Sequence, residues 1–352
     1  MLAELTTIGL GGPARGLVEV TEPDQVPAAV ADGPVLVIGG GSNLVVSDAG
    51  VDATVVHIAI PGLRADGDRV RIGAGENWDR VVGALVEDGY CGLAPLSGIP
   101  GSCGATPVQN VGAYGTEIAD LLESVTLYDR SERHFATVAA ADLGLSYRGS
   151  ILRGTDRAVI TSLTLRLGRT PTPVRYPELA AALGVAVGRT APERDVRAAV
   201  LGLRRAKGMV LDPADPDTRS VGSFFTNPIL DEAALATADA AIRSRLGADV
   251  TYPRYPVASA TRGGSLTKLS AAWLIERAGF PKGFPGAGRR VRISTKHSLA
   301  LVNAGGTTAE LLELADRIRD GVAQAYAVDL VPEPLLIGRS LQATDRAVHT
   351  SG

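Results

Sequence analysis

From Cys91 to Gly115 the chain reads CGLAPLSGIPGSCGATPVQNVGAYG. Gly92, Gly98, Gly101, Gly104, Gly112 and Gly115 punctuate small and amide residues with almost no charge, a texture that ordinary turns do not explain. Such a stretch can be buried only if its backbone N–H and C=O groups find partners. A bound planar, polar ligand such as a flavin would supply them. The other solution is a long irregular loop packed on itself, which is uncommon at this length. The ligand reading is favoured.

A second glycine run lies upstream. The strand-like Pro34–Ile38 leads into Gly39-Gly40-Gly41-Ser42-Asn43, which can present several backbone N–H groups to an anion. A dinucleotide-binding Rossmann turn is opposed on two counts. Leu44 stands where the fingerprint has its third glycine, and the following LVVSDAGVDATVVHI is strand-like, so no helix N-terminus awaits a pyrophosphate. A tight hairpin needing positive φ is the bland alternative.

The chain's 352 residues are 45% hydrophobic and 21% charged, with net charge −3, which excludes a disordered or fibrous chain and suggests two domains or three. Mild acidity gives no reason to expect nucleic acid as a partner. With 42 glycines against 2 tryptophans and 5 phenylalanines, the core must come from Val, Leu, Ile and Ala. Lysine is scarce, so Lys207, Lys268, Lys282 and Lys296 each merit inspection. Cys91 and Cys103 are too few for a disulfide framework or zinc site and read as small buried hydrophobes. No metal site is expected. The opening MLAELTTIGLGG is unlike a secretory signal, and Val35–Val46 is too short and glycine-broken to span a membrane. A cytoplasmic protein without membrane insertion is expected.

Strand runs are expected at Pro34–Ile38, Ala53–Ile60, Arg69–Ile72, Ser124–Tyr128 and Ala158–Leu167, with strand character again from Val328 to Ile337. Trp78–Asp88 has helical periodicity, burying Trp78, Val81, Val82, Leu85 and Val86. After a Pro-rich connection near residues 168–177, helices dominate. Thr190 and Glu193 read as a capping box for a helix to about Lys207, Ser270–Arg277 as a short helix, and Thr307 with Glu310 as the cap of a longer one. The fold class is α+β.

Five blocks occur in order: Gly39–Asn43, Pro100–Gly115, Tyr147-Arg148, Gly222-Ser-Phe-Phe-Thr-Asn-Pro228, and Glu333. This pattern, from about residue 6 to 338, resembles the UDP-N-acetylenolpyruvoylglucosamine reductase family. The resemblance implies a two-lobed FAD-binding domain of the vanillyl-alcohol-oxidase, or PCMH, type over residues 1–168, with lobes of about 1–65 and 66–168. A connection with a lid segment and helix (169–203) would follow, then a C-terminal α+β substrate domain (204–340) whose last strand returns to the FAD domain, and a polar tail (341–352).

It further implies non-covalent FAD, NADPH as co-substrate, and the enolpyruvyl ether of UDP-N-acetylglucosamine as substrate for a monomeric enzyme of peptidoglycan precursor synthesis. By similarity, FAD would be contacted by Gly39, Gly40, Gly41, Ser42, Asn43, Leu44, Gly101, Ser102, Cys103, Gly104, Ala105, Gln109, Asn110, Gly112, Ala113, Tyr114 and Arg148. His57, in a strand-like run, reads as a surface or satisfied imidazole and not as a covalent flavin attachment.

The implied reaction moves hydride from reduced flavin to C3 of the enolpyruvyl group, with a proton to C2. Ser223 matches the proton donor, Arg148 the catalytic arginine that grips the carboxylate, and Glu333 the catalytic glutamate beside it. Lys207 matches a lysine gripping phosphates, although a cation also suits a helix C-terminus. Tyr147, Arg204 and Asn227 match pocket positions; Tyr255 and His297 are further candidates. The segment GRTPTPVRYPELAAAL makes this a lidded member with Tyr176 as the lid. Trp273 reads as core.

Another FAD-dependent oxidase of the same fold would keep both glycine segments but has no reason to keep Gly222-Ser-Phe-Phe and Glu333 together. A non-catalytic nucleotide-sugar-binding protein would need no Ser223, Arg148 and Glu333.

Overall fold

The computed structural model describes residues 1–257, 265–338 and 341. The expected polar tail lies outside the described residues except Leu341, which packs against the C-terminal core.

Two sheets share the first core. Ala14–Val20, Val51–Ile58 and Val35–Ile38 lie parallel in that order. Opposite is an antiparallel sheet ordered His134–Ala139, Leu122–Asp129, Ala158–Arg166, Arg69–Gly73, Leu63–Asp66. Val56 and Ile58 of the first sheet meet Ile72, Leu127 and Leu163 of the second in one buried cluster. The helix Trp78–Glu87 adds the five residues its periodicity predicts, and Trp78 donates to the Leu96 carbonyl at 3.0 Å.

A second core gathers Phe224, Phe225 and the helices Glu232–Leu246, Ala271–Arg277 and Thr308–Tyr326. The chain ends stitch it to the first: Ile8, Leu10 and Val45 are buried in it, and Leu335–Ile337 pairs in parallel with Leu44–Val46. Asp48 accepts from the N–H groups of Thr308 and Ala309, placing its carboxylate at the start of the last long helix.

Each of the five strand runs forms, with ends shifted by one or two residues. The break between sheets falls ahead of Leu63, because Leu63–Asp66 forms a hairpin with Arg69–Gly73. Ser270 caps its helix, and Thr307 with Glu310 makes a true capping box. Two expectations fail. Thr190 caps nothing: the helix is Glu193–Ala206, with Pro192 at its N-cap, and Glu193 turns inward to accept from the Ala94 N–H. Between Val328 and Ile337 only Leu335–Ile337 is a strand, since Pro332 and Pro334 have no N–H for a ladder. Trp273 is half-buried against the second core, between Tyr252 and Tyr326.

Candidate active site

The two glycine segments meet each other. A Cβ on Gly40 would lie 2.7 Å from the Gly101 Cα, and one on Gly39 would lie 2.0 Å from the Ser102 Oγ. Glycine is therefore required first by backbone-on-backbone contact. The Gly101–Ala105 stretch is fixed from its other side: Cys103 N–H donates to the Glu76 carbonyl and Gly104 N–H to that of Ala74. Among the described residues nothing accepts from the backbone N–H groups of Gly40, Gly41, Ser42 and Asn43. Four adjacent donors on a turn between two strands are thus open to an anion such as a dinucleotide pyrophosphate. The turn leads into Leu44–Val46, a strand, as the defective Rossmann fingerprint foretells.

Asn43 joins this cradle to the rest of the site. Its amide donates to Gln109 Oε1 at 2.6 Å and to the Glu333 carbonyl at 3.3 Å. Asn110 is spent differently. It is buried at φ 46°, donating to Glu117 and the Ser146 carbonyl while accepting from the Ala119 N–H, so its side chain holds loops together. Cys103 is fully buried, and burial pushes its thiol well up. His57 sits 3.2 Å from a Glu19 carboxylate oxygen.

Arg148 occupies a tight turn, with Ser146 and Gly149 hydrogen-bonded to each other in both directions and φ of 55° at Arg148 itself. That turn aims the guanidinium inward: Nη2 donates to the Gly112 carbonyl at 3.0 Å, and Nε lies 2.8 Å from Glu333 Oε1. Glu333 is brought there by the 220–226 segment. Its N–H donates to the Phe224 carbonyl, while Phe224 N–H donates to the Leu299 carbonyl and Ser223 bridges to Ala300. Ser223 thus lies one residue from the group that holds Glu333. Burial raises the Glu333 carboxyl above its ordinary range, against the pull of Arg148 and Arg153. Arg153 also donates to the Glu333 carbonyl at 2.9 Å.

Beside this lies a cationic patch roofed by tyrosines. Tyr176, half-exposed, meets Tyr114 edge-on with centroids 5.5 Å apart, and Tyr255 lies near Tyr176. Burial pushes Tyr114 up to about 12. Lys207 Nζ is 5.9 Å from the Tyr114 ring and 2.7 Å from Glu178 Oε2. Arg204 is half-buried and donates to the Met209 carbonyl, but its Nε, itself out of contact with solvent, has no acceptor. Burial, with the Lys207, Lys282 and Arg204 charges, lowers His297 to about 4, so it is neutral at ordinary pH. Asn227 accepts from the Ala271 N–H and faces the Tyr147 hydroxyl, over whose ring Lys268 Nζ sits at 5.2 Å.

Residues that sequence reasoning missed include Glu178, Arg153 and Asp217. Asp217 is buried and accepts from Arg292, Ser294 and Thr295, fixing the loop that carries His297. The signal for Glu178 was its place in the first turn of Pro177–Leu183 directly behind Tyr176. Among the described residues there is no cluster of metal-ligating side chains and no helix long and apolar enough to cross a membrane.

Residues 14–136 match the FAD binding domain family, and residues 213–337 match the C-terminal domain of UDP-N-acetylenolpyruvoylglucosamine reductase. A protein of that name from Saccharopolyspora erythraea is 52% identical, the match covering 97% of this chain and 95% of the relative. One from Thermobifida fusca is 50% identical, with 97% of each covered. The crystal structure of the UDP-N-acetylenolpyruvylglucosamine reductase from Thermus caldophilus is similar at a TM-score of 0.66 and 25% identity, covering 96% of this chain and 97% of that one. With an FAD-binding domain, a matching C-terminal domain and near-full-length relatives at 52% and 50% identity, this chain belongs to the UDP-N-acetylenolpyruvoylglucosamine reductase family.

Proposed function

We propose that this protein is the NADPH-dependent, FAD-mediated enzyme that reduces UDP-N-acetylglucosamine enolpyruvate to UDP-N-acetylmuramate, in cytoplasmic synthesis of peptidoglycan precursors. The observation that carries the reading is the half-buried Arg148–Glu333 pair, held against the Ser223 segment by backbone hydrogen bonds. Arg148 and Glu333 meet, and the backbone next to Ser223 holds Glu333, an arrangement that would suit one carboxylate-bearing substrate.

Bound FAD would supply hydride chemistry, from NADPH to C3 of the enolpyruvyl group. The turn Gly39–Asn43, with Gly101 and Ser102 behind it, would hold its pyrophosphate. Hydride addition at C3 would push electron density to C2 and the adjoining carboxylate. Arg148, with Nη1 still free of protein acceptors among the described residues, would grip that carboxylate and stabilise the enolate. Glu333, paired with Arg148 and with its carboxyl raised by burial, would act beside that arginine on the enol side. Ser223 would give its proton to C2. A serine is a weak acid, so the neighbouring Arg148 charge is a requirement of this assignment.

Arg204, Lys207, Tyr147, Asn227 and His297 would line the UDP-sugar pocket, with Tyr176 as lid and Tyr255 beside it. The buried Nε of Arg204, lacking an acceptor, is the kind of donor an anionic ligand satisfies.

Anaerobic mixing tests the reading. NADPH should bleach the flavin, and UDP-N-acetylglucosamine enolpyruvate should restore it rapidly. Bleaching without recovery would leave a flavoprotein with another substrate; a protein that never binds FAD would overturn the whole reading.

A further inference from the structure

Lys207 is already occupied by an anion from the chain itself. Glu178 Oε2 lies 2.7 Å from its Nζ, with both side chains only about one-third exposed, at 39% and 33%. Glu178 is the second residue beyond Tyr176, and Pro177 between them restricts both its own φ and the conformation of Tyr176. The ring of Tyr176 rests edge-on against Tyr114, the same ring that Lys207 approaches at 5.9 Å. Lid, carboxylate, lysine and tyrosine therefore form a closed loop of contacts.

Charge sharpens the point. Arg204, Lys207 and Lys282 act on His297, and the Glu178 carboxylate opposes them. The surplus suits a ligand with more than one negative charge. An arriving phosphate group meets the Glu178 carboxylate at the same lysine, and two like charges there repel in a partly desolvated setting. Ligand and Glu178 must exchange.

We propose that Glu178 is a specificity-determining counter-ion: it holds Lys207 until a nucleoside diphosphate displaces it, so ligand charge is exchanged for the contact that fastens the Tyr176 segment. This rests on reading Lys207 as the phosphate-gripping residue. Glu178 touches neither flavin nor reacting carbon in this role; it acts through Lys207 as a positioning residue. Ligands without phosphate have no means to make the exchange, so the pair discriminates by charge.

The test is calorimetric titration of the FAD-loaded protein with UDP and, separately, with uridine. Glu178→Gln should tighten UDP binding about three- to tenfold, the scale of a partly screened ion pair plus a removed repulsion, and leave uridine unchanged. Glu178→Asp keeps the charge and should stay nearer the wild type. In a Lys207→Met background Glu178→Gln should have no effect on UDP, giving a double-mutant coupling equal to the whole gain. UDP affinity that is unchanged or weakened in Glu178→Gln, or a gain that survives without Lys207, overturns the proposal while the substrate reading stands. A wild-type protein that binds FAD but not UDP removes that reading, and the proposal with it.

Discussion

Arg148 Nε and Glu333 Oε1 lie 2.8 Å apart although 185 residues separate them in sequence, and each is oriented by backbone: Arg148 by its turn at φ 55°, Glu333 by the Phe224 carbonyl. The Nε–H is not aligned on the oxygen, so the contact acts as a close charge pair. Both side chains are mostly buried, at 21% and 14% exposure. Removing one partner strands the other charge, at a cost of about 3–5 kcal/mol where burial is complete and less here.

The first prediction follows from that geometry. Arg148→Lys keeps the charge but loses the planar fork and the Gly112 contact. Turnover with enolpyruvyl substrate should fall about 10²-fold or more, the scale of losing one stabilising donor at a developing oxyanion. Flavin reduction by NADPH should be nearly intact. Stopped-flow measurement of the two half-reactions separates these effects, and equal loss in both would remove Arg148 from the second half.

Ser223→Ala should divide the half-reactions in the same way for a different reason. Only the second half needs a proton at C2, and the Ser223 backbone, bridged to Ala300, does not depend on the hydroxyl. Thermal stability should change little while flavin reoxidation by substrate collapses. Normal turnover in this variant would exclude the serine as proton donor.

The sequence exposed the parts of this fold whose physics is local. Alternating apolar runs gave the strands, and the Trp78 to Val86 stripe gave a buried helix face that formed as read. The glycine-rich 91–115 segment was legible as special, but its cause was only half legible. Gly40 meets the Gly101 backbone, a contact between segments 61 residues apart that no local pattern encodes. Thr190 and Glu193 misled for the opposite reason. The pattern was present, but Pro192 moved the helix start, and Glu193 was drawn to the Ala94 amide 99 residues away. Glu178 escaped notice because an acid in a first helical turn is ordinary; its meaning depends on Lys207 arriving from another helix. Candidate residues with motif neighbours could be named from the sequence, and those defined by a distant partner could not.

His297 provides the pH prediction. Its ordinary value of 6.5 is lowered to about 4, first by burial and then by the Lys207, Lys282 and Arg204 charges. The unfolded chain therefore takes up a proton at higher pH than the folded one. This contribution to stability is complete above about 6.5 and is lost as pH falls toward 4. His297→Gln should flatten that part of the stability curve, measured by chemical denaturation across the window. It should also leave the activity profile near neutrality unchanged, because the imidazole is already neutral there. A limb near 6.5 that vanishes in the variant would contradict a depressed value.

Tyr176 decides whether the aromatic roof works through its ring or its hydroxyl. The edge-on contact with Tyr114 at 5.5 Å is worth about 0.5–1.5 kcal/mol beyond area burial. Tyr176→Phe keeps that contact, so the Michaelis constant for the UDP-sugar should stay within about twofold of the wild type if the ring is the working part. Tyr176→Ala loses it and should raise that constant roughly three- to tenfold, with NADPH reduction of the flavin much less affected. Steady-state kinetics on both variants reads the difference. If Phe behaves like Ala, the hydroxyl is the group that matters, and Tyr176 would be a direct polar contact to the ligand instead of a ring closing over it.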